Sequence, residues 1–448
     1  MKYFKLLFLL LISPGISAQG ILQEYITQGL ENNLALKQKE SSFRQSLEAL
    51  NEARGLFYPA VSLNARYTVS EGGRVIDFPV GDLMNPVYAT LNQLTASNLF
   101  PQIENQQIRF LRPREQETKL RLIQPVINTD LYYNAKIKKE LSVSEEINLE
   151  QYKRELIAGI KKAYYTVGMT ESLLNMLEET RLLLLENIRV NTKLVENNKI
   201  TRDNLLRSQT ELSKFEQQLQ VAAKNQQVAA GYFNFLLNRP LTDSILVEAP
   251  IISPLPAGLQ DNYTQQAVQN REEIKNLEQY GHISDLSIKM NRSSRLPDLF
   301  VLADYGFQGE SYQFNKNQDY MQASVVLSWD LFNGFQNKAR IRQALIQKEM
   351  VERQLDEAKS QIELQVINAM HELKASEAGV TAAENQAWSA REGFRLVRRK
   401  YEEGQASLIE FMDARNSLTQ AEENLIISRF TYLSDNAEFE KVITNSNP

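Results

Sequence analysis

The chain has 448 residues, 43% of them hydrophobic, with only 18 Gly and 13 Pro and a formal net charge of −5. Such scarcity of Gly and Pro argues against a string of ordinary domains and for long helices wetted on several faces. The mild acidity leaves no electrostatic footprint for nucleic acid, and the absence of Cys excludes disulfides, thiolate chemistry and a lipidated Cys.

Residues 1–18 read as a secretory signal: Lys2 and Lys5, an apolar run from Leu6 to Ile12, a Pro14-Gly15 break and the small pair Ser17-Ala18. No later stretch holds ~18 uninterrupted apolar residues, so any membrane role must come from strands. The first structural repeat is expected over 19–240. It opens with a helix to Gly55, after which the period changes to two in a strand at 59–70. Val61, Leu63, Ala65, Tyr67 and Val69 there alternate with Ser62, Asn64, Arg66, Thr68 and Ser70. Residues 71–114, with Gly72-Gly73 and Pro79, Pro86, Pro101 and Pro113, are expected as a long irregular loop. A second strand at 117–127 turns Lys119 and Arg121 away from Thr118, Leu120 and Leu122. A long helix at 134–197 then carries two seven-residue ladders, Leu149-Leu156-Ala163-Leu177-Leu184 and Ile160-Val167-Leu174-Ile188-Val195. Asn197-Asn198 breaks it, and a return helix at 201–238 stops before Pro240.

A Pro-rich linker is expected over 241–261, and then the plan recurs over 262–448. It comprises a helix, a strand at 297–309, a loop at 310–319, a strand at 320–332, a long helix at 337–402, a return helix at 405–433 and a tail. The ladders of the second rod are Val366-Leu373-Val380-Ala387-Phe394-Tyr401 and Leu355-Ile362-Ala369-Ala383-Ala390-Val397. Their rungs alternate four and three residues apart, the seam of a coiled coil, along a helix on the order of 100 Å long. Tyr58-Pro59-Ala60-Val61 corresponds to Leu296-Pro297-Asp298-Leu299, and Asn134-Ala135-Lys136-Ile137 to Lys338-Ala339-Arg340-Ile341. That order of elements, found twice, identifies an internal duplication.

Four one-face-apolar strands cannot close around a lumen, and an open sheet in a membrane leaves edge amides unsatisfied. Sharing one barrel among identical chains resolves this, with Arg66, Lys119, Arg121 and Asp304 on the lumen side and more basic than acidic charge there. Tyr67, Tyr320 and Trp329 suit the interfacial aromatic girdles. A coiled-coil scaffold or adaptor in the periplasm, without a membrane barrel, is the competing reading. An enzyme is excluded on the motifs: no nucleophile elbow, phosphate loop or zinc pattern is present, and His282 and His371 stand far apart. No cofactor or metal is expected.

The duplicated plan, the Pro59 and Pro297 breaks, Trp329-Asp330-Leu331-Phe332-Asn333-Gly334, Leu236-Leu237-Asn238-Arg239-Pro240-Leu241, and Tyr401-Glu402-Glu403-Gly404 before Ser407-Leu408-Ile409-Glu410 together resemble the TolC-type outer-membrane efflux proteins. The resemblance covers nearly the whole chain beyond the signal. It implies a mainly α fold with a small β part: a homotrimer sharing a 12-stranded transmembrane barrel above an antiparallel coiled-coil α-barrel. It further implies outer-membrane lipid, a periplasmic adaptor protein and an inner-membrane transporter as partners, and a passive exit duct as the function. By the same resemblance, Glu410 and Asp413 match an acidic ring at the periplasmic gate. Tyr401 matches a gate latch, with Arg202 and Asp203 standing in for a basic latch residue that is Ala406 here.

Overall fold

The computed structural model describes residues 20–248, 252 and 260–444. The expected signal, about half of the linker and the last four residues lie outside these. Among the described residues no helix is long and apolar enough to cross a membrane. The described residues form two compact units, one within 20–47, 140–284 and 346–444 and the other within 48–139 and 285–345.

The first unit is helical. Helix α1 (Ile21–Asn32) and helix α2 (Leu34–Gly55) replace the single expected helix. Asn33 makes the break. Its side-chain oxygen accepts from Leu36 N at 2.9 Å, and its amide donates to Leu236 O at 2.9 Å. In the second repeat α6 (Gln260–Asn270) and α7 (Glu272–Ser293) break at Arg271, 238 residues later, the same offset that relates the proline breaks. The two rods are α4 (Thr129–Glu196, 68 residues) and α8 (Gln336–Glu402, 67 residues). They fold back into α5 (Arg202–Leu236) and α9 (Leu408–Val442). Helix α9 continues nine residues past the expected 433, because Ala437, Phe439 and Val442 extend its buried seam into what was read as tail. Phe439 meets Tyr263 edge-on at 5.3 Å.

The ladders are the seams. Val366, Leu373, Val380, Ala387 and Phe394 are all buried, as are Leu149, Leu156, Ala163, Leu177 and Leu184. Each repeat closes its own cores: Ile26, Leu36, Ile160, Val167 and Phe233 in the first, Ala267, Ile274, Val366, Leu373 and Phe430 in the second. Helices α4 and α9 approach so closely at Gly168 that a Cβ there would lie 2.7 Å from the Phe430 ring. Both rods end in the same geometry. Asn198 (φ 53°) and Gly404 (φ 73°) take the left-handed conformation, and the next amide returns to a carbonyl five residues back, Lys199 N to Leu194 O and Gln405 N to Lys400 O.

The second unit carries the sheet. Strands β1 (Ala60–Val69), β4 (Arg114–Ile127), β5 (Asp298–Gly309) and β6 (Asp319–Ser328) pair antiparallel in the order β1-β4-β5-β6. Strand β4 starts three residues before the expected 117, since Val69 and Thr68 pair with Arg114 and Glu115. Strand β6 stops at Ser328, short of 332. Residues 71–114 are not irregular. They hold β2 (Val75–Phe78), α3 (Val80–Leu94) and β3 (Gln106–Arg109), with β2 and β3 paired. Pro79 and Pro86 suggested loop, but Pro79 occupies the N-cap of α3, where no donor is needed. Pro86 is tolerated inside a helix that side chains hold in place. Asn85 and Asn92 each make two hydrogen bonds to the backbone, at Ile103 and Phe100 respectively.

Candidate conduit lining and helix turns

Period two and the pairing register decide what lines each sheet face. Arg66 stands opposite Glu117, Asn64 opposite Lys119, Arg121 opposite Asp304, and Asp304 opposite Gln322. One face therefore gathers the polar side chains and the other Val61, Leu63, Leu120, Tyr305, Met321, Val325 and Leu327. On that apolar face Leu63 is 70% and Met321 78% exposed. A monomeric soluble sheet does not leave so large an apolar surface uncovered.

The polar face is a chain of alternating charge. Arg121 grips Asp304 through two hydrogen bonds, Nε to Oδ1 at 2.9 Å and Nη2 to Oδ2 at 2.7 Å. Lys119 Nζ lies 2.8 Å from Glu117 Oε1 and 3.5 Å from Asp304 Oδ2. Arg66 reaches Glu117 Oε2 at 3.5 Å. All four expected lumen residues thus meet in one network. Glu117 joins it, and Glu115, bonded to Gln308, lies on the same face, so the excess of basic charge expected for this face is absent. Glu115 lies before the expected start of the strand at 117, and carrying the two-residue period back to Arg114 places it on this face; Glu117 lies within the expected strand and shares the face of Lys119 and Arg121 by the same period.

Of the aromatic residues, Tyr67 lies on the apolar face and stacks on Tyr312 at 6.0 Å. Trp329 is exposed just beyond β6 and donates to Arg295 O at 2.8 Å. Tyr320 is not on the girdle side. Paired with Gly306, it points with the charges and donates its hydroxyl to Glu117 Oε1 at 2.7 Å. On its other side Gly306 lets β4 approach closely, since a Cβ there would fall 2.5 Å from Thr118 O.

In the first unit, the turns at the ends of the rods hold the remaining expected residues. The Tyr401 hydroxyl donates to Asn191 Oδ1 at 2.9 Å, and its ring stacks on Phe411 at 4.7 Å. Burial pushes that hydroxyl above its ordinary range. Asn191 is fully buried and in turn donates to Asn187 Oδ1 at 3.0 Å and Ser208 Oγ at 2.9 Å. This network joins the end of α8 in the second repeat to α4 and α5 in the first. Arg202 and Asp203, named as latch substitutes, are exposed and are not the partners of Tyr401. Asn191 was legible: it occupies the rung after Leu184, and an Asn on an apolar seam marks a specified contact.

Glu410 and Asp413 do not act as an equivalent pair. Ser407 caps α9 by accepting from Glu410 N at 3.2 Å, and Glu410 Oε2 accepts from Ser407 N at 2.7 Å. This capping box commits the Glu410 carboxylate to its own helix. Its pKa is lowered, first by the Ser407 backbone hydrogen bond and then by the Ser407 side chain. Asp413 is exposed and shares a 590 Å³ groove with Asp203, Arg207, Leu408 and Met412. Elsewhere in this unit a 380 Å³ cavity is lined by Arg154, Arg271, Glu273, Gln365, Glu372 and Lys441. Burial pushes the Glu273 carboxyl up, and the Arg271 hydrogen bond and charge more than reverse this, bringing it to about 2. Among the described residues no cluster of acids or histidines could hold a metal ion.

Residues 263–443 match the family described as "Outer membrane efflux protein". Over 324 residues, 70% of the chain, it is 23% identical to the alkaline protease secretion protein AprF of Pseudomonas aeruginosa. Over the same length it is 20% identical to the probable efflux pump outer membrane protein TtgC of Pseudomonas putida. The alignments span 66% of each of these relatives. The fold is that of the CmeC outer membrane channel of Campylobacter jejuni, with a TM-score of 0.77 at 14% identity over 94% of this chain and 85% of that one. The match to the outer membrane efflux protein family thus lies in the second repeat, over 181 of the 448 residues.

Proposed function

We propose that this chain is an outer membrane efflux protein, the outer-membrane exit duct of a tripartite efflux or type I secretion assembly. Three copies contribute four strands each to one 12-stranded barrel, and the helices of both repeats form a tunnel through the periplasm. The duct conducts passively. Solute is delivered by an inner-membrane transporter through a periplasmic adaptor, and the chain itself contributes neither chemistry nor an energy source.

The single observation that carries this reading is the open four-stranded sheet with an exposed apolar face and a neutralised polar face. Unpaired amides on β1 and β6 need partners inside a membrane, and the β6 edge of a second copy is the partner that symmetry supplies to β1. On the polar face, alternating Arg66, Glu117, Lys119, Asp304 and Arg121 keep the wall hydrated without a strong field of either sign, which suits passage of varied solutes. The names of the relatives, one of protease secretion and one of an efflux pump, support the duct in either setting. Tyr401 with Asn191 is the contact we assign to holding the helix ends together at rest. Asp413 with Asp203, rather than Glu410, supplies the acidic charge there.

The test is fractionation followed by negative-stain imaging of the detergent-extracted protein. Outer-membrane recovery that resists salt, with long trimeric cylinders, is expected. A protein that stays monomeric and soluble without detergent would replace the duct with the scaffold reading.

A further inference from the structure

Where strand meets helix, the second unit carries basic residues that neither a lumen nor a helix seam calls for. After β4 come Lys136, Lys138 and Lys139; before β5 come Lys289, Arg292 and Arg295; after β6 come Lys338, Arg340 and Arg342. The duplication repeats this placement, for Lys136 and Lys138 correspond to Arg340 and Arg342 at an offset of 204. Across 128–139, 286–298 and 329–345 there are nine basic and three acidic residues, +6 net in a chain whose total is −5.

The three stretches are tied to one another. Thr129 Oγ1 donates to Ser293 O at 3.2 Å, joining the start of α4 to the end of α7. Trp329 Nε1 donates to Arg295 O at 2.8 Å, joining the segment after β6 to the same end of α7. Asp130 and Asp330 both lie within electrostatic reach of Asp298. Among the described residues no ion pair ties Lys289, Arg292, Lys338, Arg340 or Arg342 to an acid, and all five are exposed. Lys136 lies 4.3 Å from the Tyr132 ring centroid.

Helix α8 makes the pattern costly locally. Its first turn has no acid, and Lys338 there faces the positive end of the helix dipole, an arrangement that weakens an isolated helix. A local rule broken without a local partner points to a partner outside the chain. Beside these bases lie exposed apolar and aromatic side chains, among them Tyr58, Tyr132, Trp329, Leu331, Phe332 and Phe335. Lys338 and Arg342 follow Phe335 at helical spacing, so their stems can lie along apolar surface while their heads reach a polar layer. Apolar anchors flanked by unpaired cations match a layer of acyl chains bounded by phosphates.

We propose that this belt binds the headgroups of anionic phospholipids in the leaflet on the helix side of the barrel. The proposal rests on the membrane reading above and deepens it by naming the lipid class. A neutral-lipid girdle would need the aromatic residues alone; the unpaired cations ask for a net negative headgroup. Engagement fixes the depth at which the strands sit, because the bases stop where the phosphates lie.

The chain has two Trp, and Trp388 lies within α8, so Trp388→Phe leaves Trp329 as the sole reporter, bonded to the belt itself. The full-length W388F protein is reconstituted in vesicles containing equal mole fractions of brominated phosphatidylglycerol or brominated phosphatidylcholine, and Trp329 quenching gives relative lipid association. About fivefold preference for phosphatidylglycerol per engaged cation is expected, declining as salt is raised. The preference should disappear in the variant with all nine bases replaced by Gln (K136Q/K138Q/K139Q/K289Q/R292Q/R295Q/K338Q/R340Q/R342Q), which retains helix propensity, and survive in the charge-retaining K338R/R340K/R342K. Equal quenching by the two lipids in W388F overturns the proposal while leaving the barrel intact. Preference that persists in the Gln variant overturns the assignment to these residues. No quenching by either lipid overturns the proposal and the membrane reading together.

Discussion

Tyr401→Phe isolates one bond. The substitution keeps the ring stacked on Phe411 and removes only the hydroxyl that donates to Asn191 Oδ1 at 2.9 Å. A hydrogen bond of this kind contributes about 1 kcal/mol net, and more when a buried acceptor is left unpaired. Asn191 is fully buried, so about 1 kcal/mol per copy is a lower figure. If three copies open together, the change is about 3 kcal/mol, which moves an open-to-closed ratio by roughly 150-fold. Single-channel recording in planar bilayers reads this directly as open probability. The comparison is Ser208→Ala, which disturbs Asn191 and Asn187 within the first repeat but leaves the Tyr401 bond in place. Y401F should open the channel and S208A should not. A Y401F channel that gates like the unsubstituted protein at unchanged melting temperature would refute the assignment. So would an S208A channel that opens as readily.

Other consequences follow from the charges. Ser407→Ala should destabilise the start of α9 by about 1 kcal/mol, read as faster amide exchange over the first turn. The Glu410 half of that cap has its pKa lowered, so its contribution is complete above 4.5 and declines as pH falls through the folded value; S407A should flatten this dependence. Glu273, brought to about 2, contributes stability that is lost between about 4.5 and 2 on acidification. Glu273→Gln should shift acid unfolding out of that window and cost roughly 2–4 kcal/mol at neutral pH, since Arg154 and Arg271 would remain buried with one partner fewer. Asp304→Asn frees Arg121 and Lys119 on the polar face, and the reversal potential in a salt gradient should shift toward anions; an unchanged potential would place this face away from the conducting path.

The rods were legible because burial imposes a seven-residue period that little else produces, and every rung from Val366 to Phe394 is buried. The strand faces were legible for the same reason at period two. What escaped were places where one residue type serves two purposes. Ser407-x-x-Glu410 is at once a capping box and an acid beside a turn, and only coordinates show which way the carboxylate folds. Tyr320 is a strand-end aromatic that suggests a girdle, yet it shares the parity of Gln322 and Ser324, and period two places it with the charges, opposite Gly306. The insert between β1 and β4 hid behind prolines whose harm depends on position. Duplication adds a further lesson in the first unit. The turns after Asn198 and Gly404 share backbone geometry, yet α9 has its capping box while Thr201 gives α5 no side-chain cap. The second-repeat turn satisfies its own amides and can part from its neighbour at the cost of the Tyr401 bond and of the Arg415 contacts with Glu211 and the Phe215 ring. The first-repeat turn has no such reserve, and its Asn187, Asn191 and Ser208 knit α4 to α5 instead. In the gating proposed above, the α8–α9 end is therefore the piece that moves and the α4–α5 end the frame it leaves.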